Sequence, residues 1–103
     1  MGENQSHASF YVYIMSNNSG LTYVGATNDI ARRVEEHKTG SLPGFSRKYE
    51  THKLVHIEEF QYVEDAIMRE KQIKNWRREK KRTLITNSNP KWTDLSEGWF
   101  EDS

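Results

Sequence analysis

Glu70 is the position in this 103-residue chain where residue type and spacing point most directly to chemistry. Helical periodicity through Val63, Ala66, Ile67 and Ile73 marks out an apolar stripe, and at 100° per residue Glu70 falls in its middle. A carboxylate on a buried face is costly unless it is paired or holds a metal. Two readings therefore stand, a metal ligand or one half of a buried ion pair with a core-edge arginine. Earlier in the chain, Arg33 and His37 share a helical face with Ile30 and Val34, while Arg32 points the opposite way. Taken singly, Arg33 reads as an arginine snorkelling from the core edge and His37 as a satisfied interior histidine. One turn apart, they read as a pair. Tyr13 and Tyr23 lie in two strand-like segments, and a hairpin centred on Asn18 sets the two phenols opposite each other on one face. A slip of one residue would send one of them to the other face.

The fourth feature is charge. The chain balances 15 Lys+Arg against 15 Asp+Glu, yet Arg69 to Arg82 carries eight basic residues against two acidic ones, so this stretch is +6 and the remainder −6. Such a stripe is either an electrostatic footprint for phosphate or a solvated helix face.

These residues need elements to hold them. Phe10 to Met15 alternates as a strand, Ser16 to Gly20 is a turn cluster, and Leu21 to Gly25 returns. Thr27 and Asn28 supply an N-cap, Asp29 adds charge in the first turn and Gly40 a stop, which predicts a helix over 29–39. A loop over 40–51 leads to a third strand over 54–60. A second helix is expected from Glu64 to at least Arg78, and a polar segment from Asn87 to Leu95, pinned by Trp92 and Leu95, ends the fold. The fold class is α/β, a small three-stranded antiparallel sheet flanked by helices. One domain is expected over residues 9–95, with a disordered tail over 1–8 and an acidic tail over 96–103.

With 34% hydrophobic residues and no Cys, the chain has room for one small core and neither a disulfide framework nor a Cys-based zinc site. The four His are too scattered for a His cluster. The longest apolar run is far short of the roughly 18 residues of a membrane span, and no signal-peptide pattern precedes it; a cytoplasmic protein without membrane contact is the expectation. Met1, Gly2 and Ser6 fit the loose myristoylation pattern, although an untethered tail is the plainer reading.

The motifs, in order, resemble the GIY-YIG nuclease superfamily, in particular its small stand-alone bacterial domains. The resemblance runs from Tyr11 to Trp92. Tyr11, Val12 and Tyr13 stand for the first signature strand and Tyr23, Val24 and Gly25 for the second, with Tyr11 where the family's first glycine usually lies. Thr27 to Arg33 and His37 are similar to the strand-to-helix stretch that carries the catalytic arginine, which by count is Arg33. Phe45 to Tyr49, the run from Ala66 through Glu70 to Trp76, and Asn89, Pro90 and Trp92 complete the pattern. Each signature is short; together, in order and at the right spacing, they are specific.

The resemblance implies a hydrolase cutting phosphodiester bonds in nucleic acid, expected to be DNA, with one divalent cation, Mg²⁺ or Mn²⁺, held by Glu70. Tyr23 would act as general base or orient the water, and Tyr13 would hydrogen-bond in the same pocket. Arg33 would stabilise charge at phosphorus, His37 would assist Tyr13 or the leaving oxygen, and Asn89 would close the site. Ala26 stands where DNA-repair members often carry a lysine near the signature tyrosine. Arg69, Lys71, Lys74, Arg77, Arg78 and Lys81 would bind the nucleic acid. The competing reading is a nucleic-acid-binding module that no longer cleaves or works only with a partner.

Overall fold

The computed structural model describes residues 9–42, 44 and 48–101. The N-terminal tail, the motif residues Phe45, Ser46 and Arg47, and the last two residues lie outside them. The chain runs β1 (Phe10–Ser16), β2 (Thr22–Thr27), α1 (Ile30–Thr39), β3 (Lys53–Phe60), α2 (Val63–Lys74) and α3 (Arg78–Ser88). The sheet order is β2-β1-β3, with β1 antiparallel to both neighbours.

The central strand is apolar on both faces because both are covered. Val12 and Ile14 join Val24, Val55, Ala66, Ile73 and Ile85 in a core beneath α2 and α3, whereas Tyr13 and Met15 join Val34 and Leu54 in a second core beneath α1. A register shift between Ile14 and Met15 sets Ile14 opposite His56 and Met15 opposite Leu54, leaving Val55 as the extra residue of a bulge. That bulge carries His56 onto the face covered by α2 and α3.

The hairpin register differs from expectation. Tyr13 pairs with Gly25 and Met15 with Tyr23, so the turn centres on Ser19 rather than Asn18. The reason is Asn17, whose Oδ1 accepts from the backbone N–H groups of Ser19 and Leu21, both at 3.0 Å, and organises a five-residue turn. The displacement is two residues, an even number, so both phenols keep the same face. At α1 the N-cap is Asp29, accepting from Arg32 N at 3.2 Å, rather than Thr27 or Asn28. Thr27 Oγ1 instead accepts from Asp29 N. Gly40 ends the helix at φ 75°, the left-handed conformation glycine favours.

The long second helix is two helices. After Lys74 the chain tightens, with Trp76 N donating to Ile73 O, and Arg77 is extended before α3 begins. No glycine or proline marks the break; Trp76 packs against the core, and the turn lets Ile85 come back onto the same cluster as Ile73. Of the apolar stripe on α2, only Ala66 and Ile73 are buried, while Val63 and Ile67 are 40% and 41% exposed.

Asp94 does most of the pinning assigned to Leu95, whose side chain is largely exposed. The Asp94 carboxylate accepts from the ammonium of Lys38, from Leu54 N at 3.1 Å and from Ser96 N and Oγ, tying α1, β3 and the C-terminal segment together. These donors outweigh the cost of its burial and hold its pKa down at about 2.

Candidate active site

The site forms where β1 and β2 face α1. Tyr13 and Tyr23 stand with ring centroids 6.3 Å apart, and His37 closes the group with centroids 5.5 Å from Tyr13 and 4.8 Å from Tyr23. Tyr13 Oη and His37 Nε2 are hydrogen-bonded at 3.1 Å. Gly25 makes room for this: a Cβ there would come within 2.5 Å of the Tyr13 hydroxyl. The glycine of the second signature strand is thus required by the tyrosine of the first, its partner across the ladder.

Burial, the adjacent Tyr23 phenol and the Glu70 carboxylate together push the Tyr13 pKa above the ordinary phenol range, against the pull of Arg33. Tyr13 is therefore a protonated phenol. Burial and the nearby Arg33 guanidinium drive the His37 pKa down to about 4, against the opposing effect of Glu36, so the imidazole is neutral at pH 7. Arg33 and Glu70 thus both lie close enough for their charges to act on Tyr13, although one comes from α1 and the other from α2.

The two arginines differ in exposure. Arg33 lies at the solvent edge of the stripe; its side chain is 45% exposed against 72% for Arg32, and both approach Glu36, at 3.6 and 3.2 Å. Spacings of three and four residues were the available signal for Glu36 as their common anchor. Glu70 is half-buried, and its ion-pair partner is Lys74 one turn on, with Nζ 3.0 Å from Oε2, rather than an arginine. Asn89 is not brought to the site. Its Nδ2 donates to the carbonyls of Val55 and Thr93, and its Oδ1 accepts from Thr93 N and Oγ1, so the side chain ties the following turn to β3, while the backbone N–H, donating to Ile85 O, ends α3. Ala26 packs with the core beneath α2 and α3, on the opposite side of β2 from Tyr23. A lysine introduced there would start on the wrong face to activate that phenol.

Among the basic residues, Arg69 is committed to the fold. It holds Glu58 with Nε at 2.8 Å and Nη2 at 3.0 Å, donates to Gln72 and stacks on Trp76. Lys71, Lys74, Arg77 and Arg78 are exposed, and Lys81 is half-buried. Because the helix breaks, they are divided between α2 (Lys71, Lys74), the connecting turn (Arg77) and α3 (Arg78, Lys81).

Among the described residues no three His, Asp or Glu side chains gather as a metal cluster. Glu70 is a single carboxylate, which suits Mg²⁺, an ion that keeps most of its waters and takes one or two protein ligands. No helix among those residues is long and apolar enough to cross a membrane.

The GIY-YIG catalytic domain profile matches residues 9–83. A UPF0213 protein of Haloquadratum walsbyi is 40% identical over 74 residues, covering 72% of this chain and 83% of the relative. A UPF0213 protein of Staphylococcus aureus is 34% identical over 77 residues, covering 75% and 94%. The solution NMR structure of the UPF0213 protein BH0048 from Bacillus halodurans is similar with a TM-score of 0.56 and 27% identity, over 87% of this chain and 97% of that one. A phenol pair packed over a signature glycine, in a chain whose matched span includes both signature strands and all of α1 and α2, places this protein in the GIY-YIG catalytic domain family, among its small UPF0213 members.

Proposed function

We propose that the protein hydrolyses phosphodiester bonds in nucleic acid, with DNA as the expected substrate and one divalent cation, Mg²⁺ or Mn²⁺, held by Glu70. The observation that carries this reading is the convergence on Tyr13: a neutral histidine bonded to it, a second phenol beside it, and the charges of Arg33 and Glu70 both acting on it. The family match supports a nuclease-type activity.

Tyr13, held protonated, hydrogen-bonds to His37 and positions its neighbours; it is a poor base. The base, or the residue that orients the attacking water, is then Tyr23, which is half-buried and so nearer solvent. A phenol needs a positive charge beside it to act as a base at neutral pH. A cation at Glu70 would supply that charge and neutralise the phosphate. Arg33, flexible and half-exposed, is suited to stabilising charge that develops on the phosphate oxygens. His37, neutral and bonded to Tyr13, fixes the phenol's direction.

Purified protein incubated with labelled DNA and RNA of several structures, with Mg²⁺, Mn²⁺ or chelator, tests the proposal. Cation-dependent cleavage lost in Glu70→Gln is expected. Binding without cleavage under every condition would favour the non-cleaving module.

A further inference from the structure

Arg69 to Arg82 reads in sequence as one basic stripe, but its cations have different jobs. Besides Arg69, Lys80 lies over Trp76 at 4.4 Å, and Arg82 donates to Gly20 O and covers Trp92. These contacts hold α2, α3 and the hairpin turn together. Lys74 differs in its partner. Its ammonium sits 3.0 Å from Glu70 Oε2, against the carboxylate whose charge acts on Tyr13.

The two ends of that pair are unequal. The Glu70 side chain is 19% exposed and Lys74 52%, so the carboxylate is fixed in the site while the lysine reaches it from solvent on a flexible four-carbon stem. An ammonium and a hydrated divalent cation compete for the same oxygen. Whichever cation loses is left beside the place where a phosphate bound to the other would lie.

We propose that Lys74 is the place-holding cation of Glu70: it neutralises the carboxylate in the free protein, yields it to the divalent ion, and then donates to a non-bridging oxygen of the scissile phosphodiester. This rests on the metal reading of Glu70. It makes metal and phosphate binding mutually reinforcing, because the ion frees the lysine and the phosphate retains it away from the carboxylate. The other exposed cations, such as Arg77 and Arg78, would contribute only to the general field.

Mn²⁺ is the metal probe, its affinity for the full-length protein measured by electron paramagnetic resonance. Dimethyl phosphate is the phosphodiester probe, followed by ³¹P relaxation at equal Mn²⁺ occupancy. Lys74→Met should tighten Mn²⁺ binding by roughly three- to tenfold, the effect of removing one competing charge near a divalent ion, and should reduce the ³¹P effect severalfold. Lys74→Arg, which keeps a cation, should stay near wild type in metal affinity. If Lys74→Met leaves Mn²⁺ affinity unchanged while Glu70→Gln abolishes it, the place-holding role is wrong and the metal reading stands. Tighter metal with an unchanged ³¹P effect would overturn the phosphate role. Mn²⁺ binding that is absent, or identical in Glu70→Gln and wild type, would remove the metal reading and this proposal with it.

Discussion

His37 and His56 are both buried, one beneath each face of the sheet, and they are bonded in different ways. His56 meets Ser88 Oγ at 3.3 Å through Nδ1 and Glu58 Oε2 at 2.8 Å through Nε2, and Glu58 is held in turn by two nitrogens of Arg69. Although its partial burial opposes ionisation, the bonds from Arg69 and His56 hold the Glu58 carboxyl below its usual range. This network joins β3 to α2 and α3. His37 meets a phenol instead, and burial with a neighbouring guanidinium keeps it uncharged. A buried polar group bonded to an opposite charge stabilises a fold. One bonded to a neutral group and flanked by movable charges is free to serve chemistry.

Substitutions in the two groups, the cluster whose charges act on Tyr13 and the network around His56, should separate activity from stability. Glu70→Gln should cost about 100-fold or more in cleavage, as loss of a main electrostatic contributor does, with a denaturant midpoint near wild type. Glu58→Ala should do the reverse. It strands Arg69 and His56 and should cost about 1–3 kcal/mol in chemical denaturation, leaving the rate per folded molecule intact. If Glu58→Ala abolished cleavage at full stability, the two groups would not be separable.

Within the site, Arg33→Ala should lower cleavage on the order of 100-fold, whereas Arg32→Ala, on the exposed side of the same anchor, should leave it nearly unchanged. Equal losses would mean that Glu36 rather than either guanidinium is what matters. Gly25→Ala should cost about 1–3 kcal/mol through overpacking and also lower activity, since the new methyl meets the Tyr13 hydroxyl. Tyr13→Phe combined with Gly25→Ala should recover little of the stability, because the ring carbons Cζ and Cε1 still come within 2.6 and 2.9 Å of the new methyl, which a thermal melt on the double variant would show.

The smallest effect lies in pH. The folded pKa of His37 is lowered to about 4 from an ordinary 6.5, so between those values the unfolded chain binds more protons and stability falls as pH falls. The loss is at most about 1.4 kcal/mol per pH unit and ends near pH 4, where the folded protein is protonated too. Asp94, lowered to about 2 from 3.8, contributes stability present above its unfolded value and lost as pH drops from there through 2. Denaturation across pH 2 to 8 should resolve the first window in wild type, and His37→Gln should flatten it while leaving the Asp94 window in place.

The strands were legible because their apolar residues alternate, and α1 because its capping residues and Gly40 bracket it. Glu70 stood out because a carboxylate on an apolar stripe is a local contradiction visible without coordinates. The same periodicity gave the direction of Arg33 but not its depth, since a helical wheel does not say how far the core extends beneath a given residue. Asn89 matched a motif position, yet its four hydrogen bonds are all made to the residues that fold around it.

The sequence by itself determined which residues could do chemistry, the order of the elements and the face shared by the two phenols, because these follow from local periodicity and capping along a single segment. Tertiary structure decided the rest. The hairpin register depends on Asn17 folding back on its own turn, and the break after Lys74 on Trp76 and Ile85 reaching one core. The bulge at Val55 turns His56 towards Arg69, and Lys74, not an arginine, meets Glu70. The break and the bulge are fixed by contacts between segments distant in sequence, whereas the Asn17 turn and the i,i+4 pair of Glu70 with Lys74 each lie within one segment, where only the folded chain selects among several possible local partners.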